Sequence, residues 1–213
     1  MKAVIFDCDG VLVDSEPVYA EAFSSTLNDF GCPLPASLLA TELQGRSMDD
    51  CYRWLAKYWG FRITSAFKEA LFSRTDSLIP LRLKPVFEVG LLVEALSCPK
   101  AVASNGVRRS VLNNLELCQL KHHFDPHIYT AEQVALPKPA PDIYLHAASN
   151  LGVQPQDCLV IEDSALGVQA AIAARMRVCW FGANADDLEL AGGVYRASTM
   201  LGVRQVLQKL GLL

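Results

Sequence analysis

The sequence lacks any apolar run near the ~18 residues that a membrane-spanning helix needs, so no membrane partner is expected. Its beginning offers only Lys2 and a short apolar run broken by Asp7, which does not read as a signal peptide. Excess positive charge is also missing. There are 19 Lys and Arg against 23 Asp and Glu, a net charge of −4. A nucleic-acid footprint is normally basic, so nucleic acid is excluded as a partner. The seven cysteines contain no C-x-x-C pair and do not cluster with the four histidines. A zinc site and a disulfide frame are thereby excluded, and reduced, packed thiols in the cytoplasm are expected. There is no internal repeat and no low-complexity tract. What is present is a globular composition, 51% hydrophobic and 20% charged, over 213 residues. That length suits one domain with an insert, or two small domains.

The stretch Val4-Ile5-Phe6-Asp7-Cys8-Asp9-Gly10 organises the rest. Three apolar, β-favouring residues read as a buried strand of a parallel sheet, with two carboxylates just past its end. Open α/β sheets place their ligands there. Carboxylates that close repel unless a cation lies between them or one is protonated. The pair reads as a divalent metal site, an acid/base pair or both; two solvated turn aspartates are the alternative. Gly10 lets the chain turn away sharply, and Cys8 reads as a small core residue rather than a reactive thiol.

Residues 15–83 read as helices without a convincing strand. Ser15 is the expected N-cap of the first, with Tyr19, Phe23, Leu27 and Phe30 on one face. A short helix follows at Ser37–Leu43, then the Gln44-Gly45-Arg46 loop. Ser47 and Asp50 resemble a capping box opening a third helix, and a fourth is expected over Ser65–Leu78. Trp54, Tyr58 and Trp59 read as core of this helical unit. From Pro85 onward strands and helices alternate. Helices are expected at Val86–Leu96, Val107–Leu117, Asp142–Leu151 and from Ala165, and strands at Ala101–Ala103, His127–Thr130, Cys158–Ile161 and Arg177–Phe181. After Gly192-Gly193 one more strand and helix are expected. The pattern predicts an α/β fold, a Rossmann-like parallel-sheet core (1–14 and 84–213) with an inserted all-α cap (15–83).

Four predicted strand ends and turns carry polar residues: Asp7 and Asp9; Ser104-Asn105-Gly106; Lys138 between Pro137 and Pro139; and Glu162-Asp163. Singly, these read as caps or a surface lysine. Jointly they are complementary. Asp7, Asp9 and Asp163 suit Mg2+, whereas Ser104, the Asn105 amide and Lys138 suit phosphoryl oxygens. A carboxylate facing the phosphorus can attack it.

These four ordered motifs resemble the haloacid dehalogenase superfamily of aspartate-nucleophile phosphotransferases. The spacing and helical insert are similar to its β-phosphoglucomutase-like subgroup, over almost the whole chain. The resemblance implies Asp7 as nucleophile and Mg2+ ligand. Asp9 would be the general acid and base, its main-chain carbonyl on the metal. Ser104, Lys138 and Asn105 would hold the phosphate, and Asp163 the metal, with Glu162 near it. The implied function is a Mg2+-dependent phosphatase acting on a small phosphorylated metabolite, a sugar phosphate or phosphorylated sugar acid, with a monomer as the default state. A hexose-phosphate mutase and a non-catalytic binding module are the alternatives. Tyr19 and Gln44 stand where the sugar-phosphate mutase resembled here has histidine and lysine, which favours hydrolysis. Gly45 and Arg46 are the expected substrate contacts of the insert. Val11 replaces a common threonine. Arg175 stands at a helix end where relatives have glycine, a left-handed position that costs a side chain roughly 1–2 kcal/mol.

Overall fold

β1 (Ala3–Phe6) is buried on both faces, as its unbroken apolar run requires. The computed structural model, which describes residues 1–182 and 193–213, sets this strand inside a six-stranded parallel sheet. Its neighbours are β2 (Lys100–Ser104) and β4 (Cys158–Glu162). β3 (Ile128–Thr130) extends the sheet beyond β2, and β5 (Arg177–Phe181) and β6 (Val194–Ala197) extend it beyond β4. The order β3-β2-β1-β4-β5-β6 reverses at β1, so the chain makes a topological switch point where β1 meets β4. The expected α/β, Rossmann-like class is the one the chain adopts.

Alternation along β1 sorts the two faces. Val4 and Phe6 join one core with α5 (Val89–Ala95), α6 (Arg108–Leu117) and α9 (Met200–Lys209). Ala3 and Ile5 join the other with α7 (Asp142–Asn150) and α8 (Ala165–Ala173). That second face is rich in alanine (101, 103, 147, 148, 170 and 171), so its helices lie close on the sheet. Cys8 is fully buried in the first core, as its packing reading requires.

Four helices stand between β1 and α5: α1 (Glu16–Asp29), α2 (Ala36–Leu43), α3 (Met48–Trp59) and α4 (Ser65–Arg82). They share a separate core that includes Phe23, Leu27, Leu39, Leu55 and Phe67. Trp54 belongs to it, but Tyr58 and Trp59 are 62% and 46% exposed, which corrects their assignment as core. They sit on the last turn of α3, their rings tilted against that of Trp54, with the Lys57 ammonium over Tyr58.

Several ends differ from expectation for local reasons. α4 runs one turn beyond Leu78, through Pro80, and closes with the Leu83 amide donating to the Ile79 carbonyl. α5 begins at Val89, not Val86, because Glu88 adopts a left-handed φ of 65° and the Val86 amide bonds Leu12 instead. Gly192 lies outside the described residues; β6 and α9 follow Gly193 as expected. Among the described residues no helix is long and apolar enough to cross a membrane.

Arg175 ends α8 with φ at 60°, the left-handed geometry anticipated for it, and its side chain is exposed. Arg175→Gly therefore relieves steric cost while removing no packing. It is expected to stabilise the protein by about 1 kcal/mol, a rise of roughly 2–4 °C in Tm by calorimetry; an unchanged or lower Tm would contradict the strain.

Candidate active site

Register decides which residues meet. Phe6 pairs with Val102 on one side and with Ile161 on the other. Asp7, Ser104 and Glu162 therefore emerge at the carboxyl ends of three adjacent strands. The Asp7 amide continues the ladder by donating to the Ile161 carbonyl at 2.9 Å.

Lys138 enters this site from the proline-flanked loop before α7 and is 2% exposed. Its Nζ donates to Asp7 Oδ1 at 2.6 Å and to Glu162 Oε2 at 3.3 Å. The Tyr144 ring of α7 lies 4.7 Å from the same ammonium. Burial works against charging Lys138, but the Asp7 and Glu162 carboxylates outweigh it and hold its pKa well above the ordinary lysine value.

Glu162 is enclosed on every side. Tyr144 Oη donates to Oε2 at 3.1 Å, while the Ser164 amide and hydroxyl donate to Oε1 at 3.2 and 2.9 Å. Gly167 is obligatory here, because a Cβ on it would lie 1.8 Å from Glu162 Oε2. Ser164 in turn caps α8, accepting from the Gly167 amide at 3.0 Å.

Asp7, Glu162 and Asp163 each offer an oxygen within 4.8 Å of the others. Burial, followed by the neighbouring acids, pushes Asp163 well above the usual carboxylate range. Burial also raises Asp7, against the pull of Lys138. Such crowding of carboxylates fits a hard divalent cation, which takes oxygen ligands.

Asp9 turns its side chain another way. Its Oδ1 accepts from the Ser15 hydroxyl at 2.5 Å and its Oδ2 from Ser104 at 3.4 Å. Ser15 occupies the N-cap position of α1 but makes no side-chain cap bond, which corrects the capping expectation. Its hydroxyl serves Asp9 instead. Burial raises the Asp9 pKa, with Ser15 opposing.

Asn105 contributes more than its amide. Its Oδ1 accepts from the Lys138 amide at 2.9 Å, and its Nδ2 donates to the carbonyls of Lys138 at 3.3 Å and Gly45 at 3.1 Å. One side chain thus touches both the lysine loop and the helical unit. Gln44 adds a second link, its Nε2 donating to Asp163 Oδ2 at 2.8 Å. Gly45 has φ at 68°, and a Cβ there would lie 2.4 Å from Ser164 Oγ. Arg46 lines the same cavity, with Nε donating to the Glu42 carbonyl at 2.5 Å.

All of the anticipated site residues are brought together. Asp7, Asp9, Ser104, Asn105, Lys138, Glu162, Gly45 and Arg46 line one cavity, and Asp163 borders it through Asp7 and Gln44. Sequence reasoning missed Ser15, Tyr144 and Glu16. Glu16 lines the cavity, and burial plus the charges of Asp9 and Asp14 raise its pKa to about 7. A hydroxyl six residues after Asp9 and a tyrosine six after Lys138 were the only signals available.

The haloacid dehalogenase-like hydrolase family model matches residues 1–175. The chain belongs to that family. It is 26% identical to the 6-phosphogluconate phosphatase of Escherichia coli K12 over 185 residues, covering 86% of this chain and 84% of that protein. It is 32% identical to the phosphorylated carbohydrates phosphatase of Thermotoga maritima, covering 82% of each. A family hydrolase from Deinococcus radiodurans, solved with phosphate and sodium bound, superposes with a TM-score of 0.77 at 30% identity, covering 100% of this chain and 97% of that one. A candidate β-phosphoglucomutase from Thermotoga maritima also superposes at 0.77, with 28% identity, covering 98% of this chain and 99% of that one.

Gly45→Ala tests the seating of the loop on Ser164. The substitution strains a left-handed residue and puts a methyl group into Ser164. Turnover is expected to fall at least about tenfold, since small misplacements at a site cost that much or more, with Tm within a few degrees of the parent. Unaltered kinetics would show that the loop contact is dispensable.

Proposed function

We propose that the chain is a Mg2+-dependent phosphoric monoester hydrolase acting on a small phosphorylated carbohydrate through an aspartyl-phosphate on Asp7. The observation that carries this reading is the buried Lys138 ammonium bridging Asp7 and Glu162, with Asp163 beside them. Five carboxylates, Asp7, Asp9, Glu16, Glu162 and Asp163, gather around one buried lysine, so the site is short of positive charge. Asp7, Asp163 and the main-chain carbonyl of Asp9 would hold Mg2+. Glu162, whose oxygens already serve Lys138, Tyr144 and Ser164, would stand behind them. When bound, Mg2+ supplies charge that offsets the phosphoryl oxygens and the acidic cluster.

The steps then fall to the chain's own groups. Ser104, the Asn105 amide and Lys138 bind the phosphate. An Asp7 oxygen attacks phosphorus as the ester P–O bond breaks, and Asp9 gives its proton to the departing oxygen. Water replaces the alcohol, Asp9 takes a proton from it, and its attack breaks the Asp7–phosphorus bond to free phosphate. Ser15 fixes the Asp9 carboxyl during both transfers. Residues 15–83 act as the cap over the core formed by 1–14 and 84–213, excluding other water. Gly45 and Arg46 contact the leaving group. A mutase would need the reactive acyl phosphate kept for a second sugar position. Tyr19 and Gln44, bound to Asn114 and Asp163, offer neither imidazole nor ammonium for that task. The seven cysteines, with no C-x-x-C spacing among them, fit a reducing compartment, and a monomer is the state proposed.

The nucleophile assignment is tested by Asp7→Asn. Phosphate release from sugar phosphates should drop below detection while circular dichroism stays that of the parent; undiminished turnover by the purified variant would remove Asp7 from its role. Metal dependence is checked separately. Chelation of divalent cations should stop phosphate release by the parent enzyme, and added Mg2+ should restore it; turnover indifferent to chelator would refute the metal requirement.

A further inference from the structure

The cavity has two chemically distinct ends. The strand end carries Asp7, Asp9, Ser104, Asn105 and Lys138. The opposite wall, supplied by the helical unit, is carbon: the Tyr19 ring, Phe23, Leu39, Leu43, Met48 and Cys51. Phe23, Leu39 and Cys51 are buried core residues of that unit, so the wall is rigid rather than a set of movable surface chains.

Three polar groups along the same wall are already engaged. The Tyr19 hydroxyl accepts from Asn114 Nδ2 at 3.1 Å, which points it at α6. Gln44 Nε2 is bound to Asp163, and Arg46 Nε to the Glu42 carbonyl. Glu16, Ser110 and the terminal nitrogens of Arg46 also line the cavity, but they are outnumbered by carbon, and a hydroxyl buried on that carbon without a partner is disfavoured. Size restricts the ligand as well. The cavity measures about 140 Å³. An apolar cavity of about 150 Å³ holds a ring the size of benzene.

The geometry points to a compact phosphate monoester whose leaving group turns a deoxygenated carbon edge towards Phe23, Leu39, Leu43 and Met48. This rests on the phosphatase reading and narrows it. Fully hydroxylated and acidic six-carbon chains are the disfavoured members. Specificity arises from the wall, because the phosphate end treats every monoester alike.

The experiment compares kcat/KM for matched esters with the full-length enzyme and Mg2+: 2-deoxyribose 5-phosphate against ribose 5-phosphate, with 6-phosphogluconate and p-nitrophenyl phosphate alongside. An apolar pocket discriminates against one added hydroxyl by up to about a hundredfold, so a preference of about tenfold or more for the deoxy ester is expected. 6-Phosphogluconate should be the poorest of the sugar esters. Met48→Gln places an amide on the wall and should narrow the deoxy preference severalfold, a ratio that partial loss of folded enzyme does not change. Equal rates for the matched pair, or 6-phosphogluconate as the best sugar ester, with p-nitrophenyl phosphate hydrolysed, would overturn the inference and leave the phosphatase intact. Failure to hydrolyse any ester, p-nitrophenyl phosphate included, would remove both.

Discussion

A lysine buried against two carboxylates is the constraint on which the site depends. Removing three charges from water is costly, and it is tolerated only where each finds close partners. Lys138 satisfies this with Asp7, Glu162 and the face of Tyr144. Glu162 satisfies it with Tyr144 and Ser164 as well. Loss of any one member would leave the others buried and unmatched. The cluster therefore fixes the relative positions of β1, β4, the lysine loop and α7 as firmly as the apolar cores do.

The same cluster explains a demand on residue size. Glu162 fits only because position 167 has no side chain, and Gly167 lies in α8, which packs on the alanine-rich face of the sheet. Close helix packing and a buried acid are thus two results of one economy in volume. Ser164 joins them, since its hydroxyl both starts α8 and binds Glu162. Local helix chemistry and site chemistry cannot be separated at this strand end.

Much of this was legible in the sequence, and the limits have physical causes. β1 was readable because a buried parallel strand must be an uninterrupted apolar run, and Asp7 and Asp9 were conspicuous as its interruption. Lys138 stood out through its prolines. The partners of these groups were not readable. Ser15 looked like a cap because hydroxyls before helices usually are caps; only the turn of the chain after Asp9 brings it to the carboxylate. Tyr144 falls within an expected helix with nothing local to mark it, and its hydroxyl acquires a purpose from Glu162, eighteen residues on. Gln44 and Asp163 are 119 residues apart in sequence. No periodicity announces such a pair. Tyr58 and Trp59 were misplaced because bulk suggests burial, whereas the final turn of α3 leaves them at the edge.

The Asn105 side chain has a wider consequence. It grips the lysine loop through both main-chain atoms of Lys138 and reaches the helical unit only through a main-chain carbonyl, that of Gly45. A contact to backbone is indifferent to the side chains around it, so long as position 45 itself carries none. The wall-forming helices can therefore be rewritten, by drift or by protein engineers grafting new selectivity, while this seam stays unchanged. The fold is arranged like a tool with a fixed handle and an exchangeable bit.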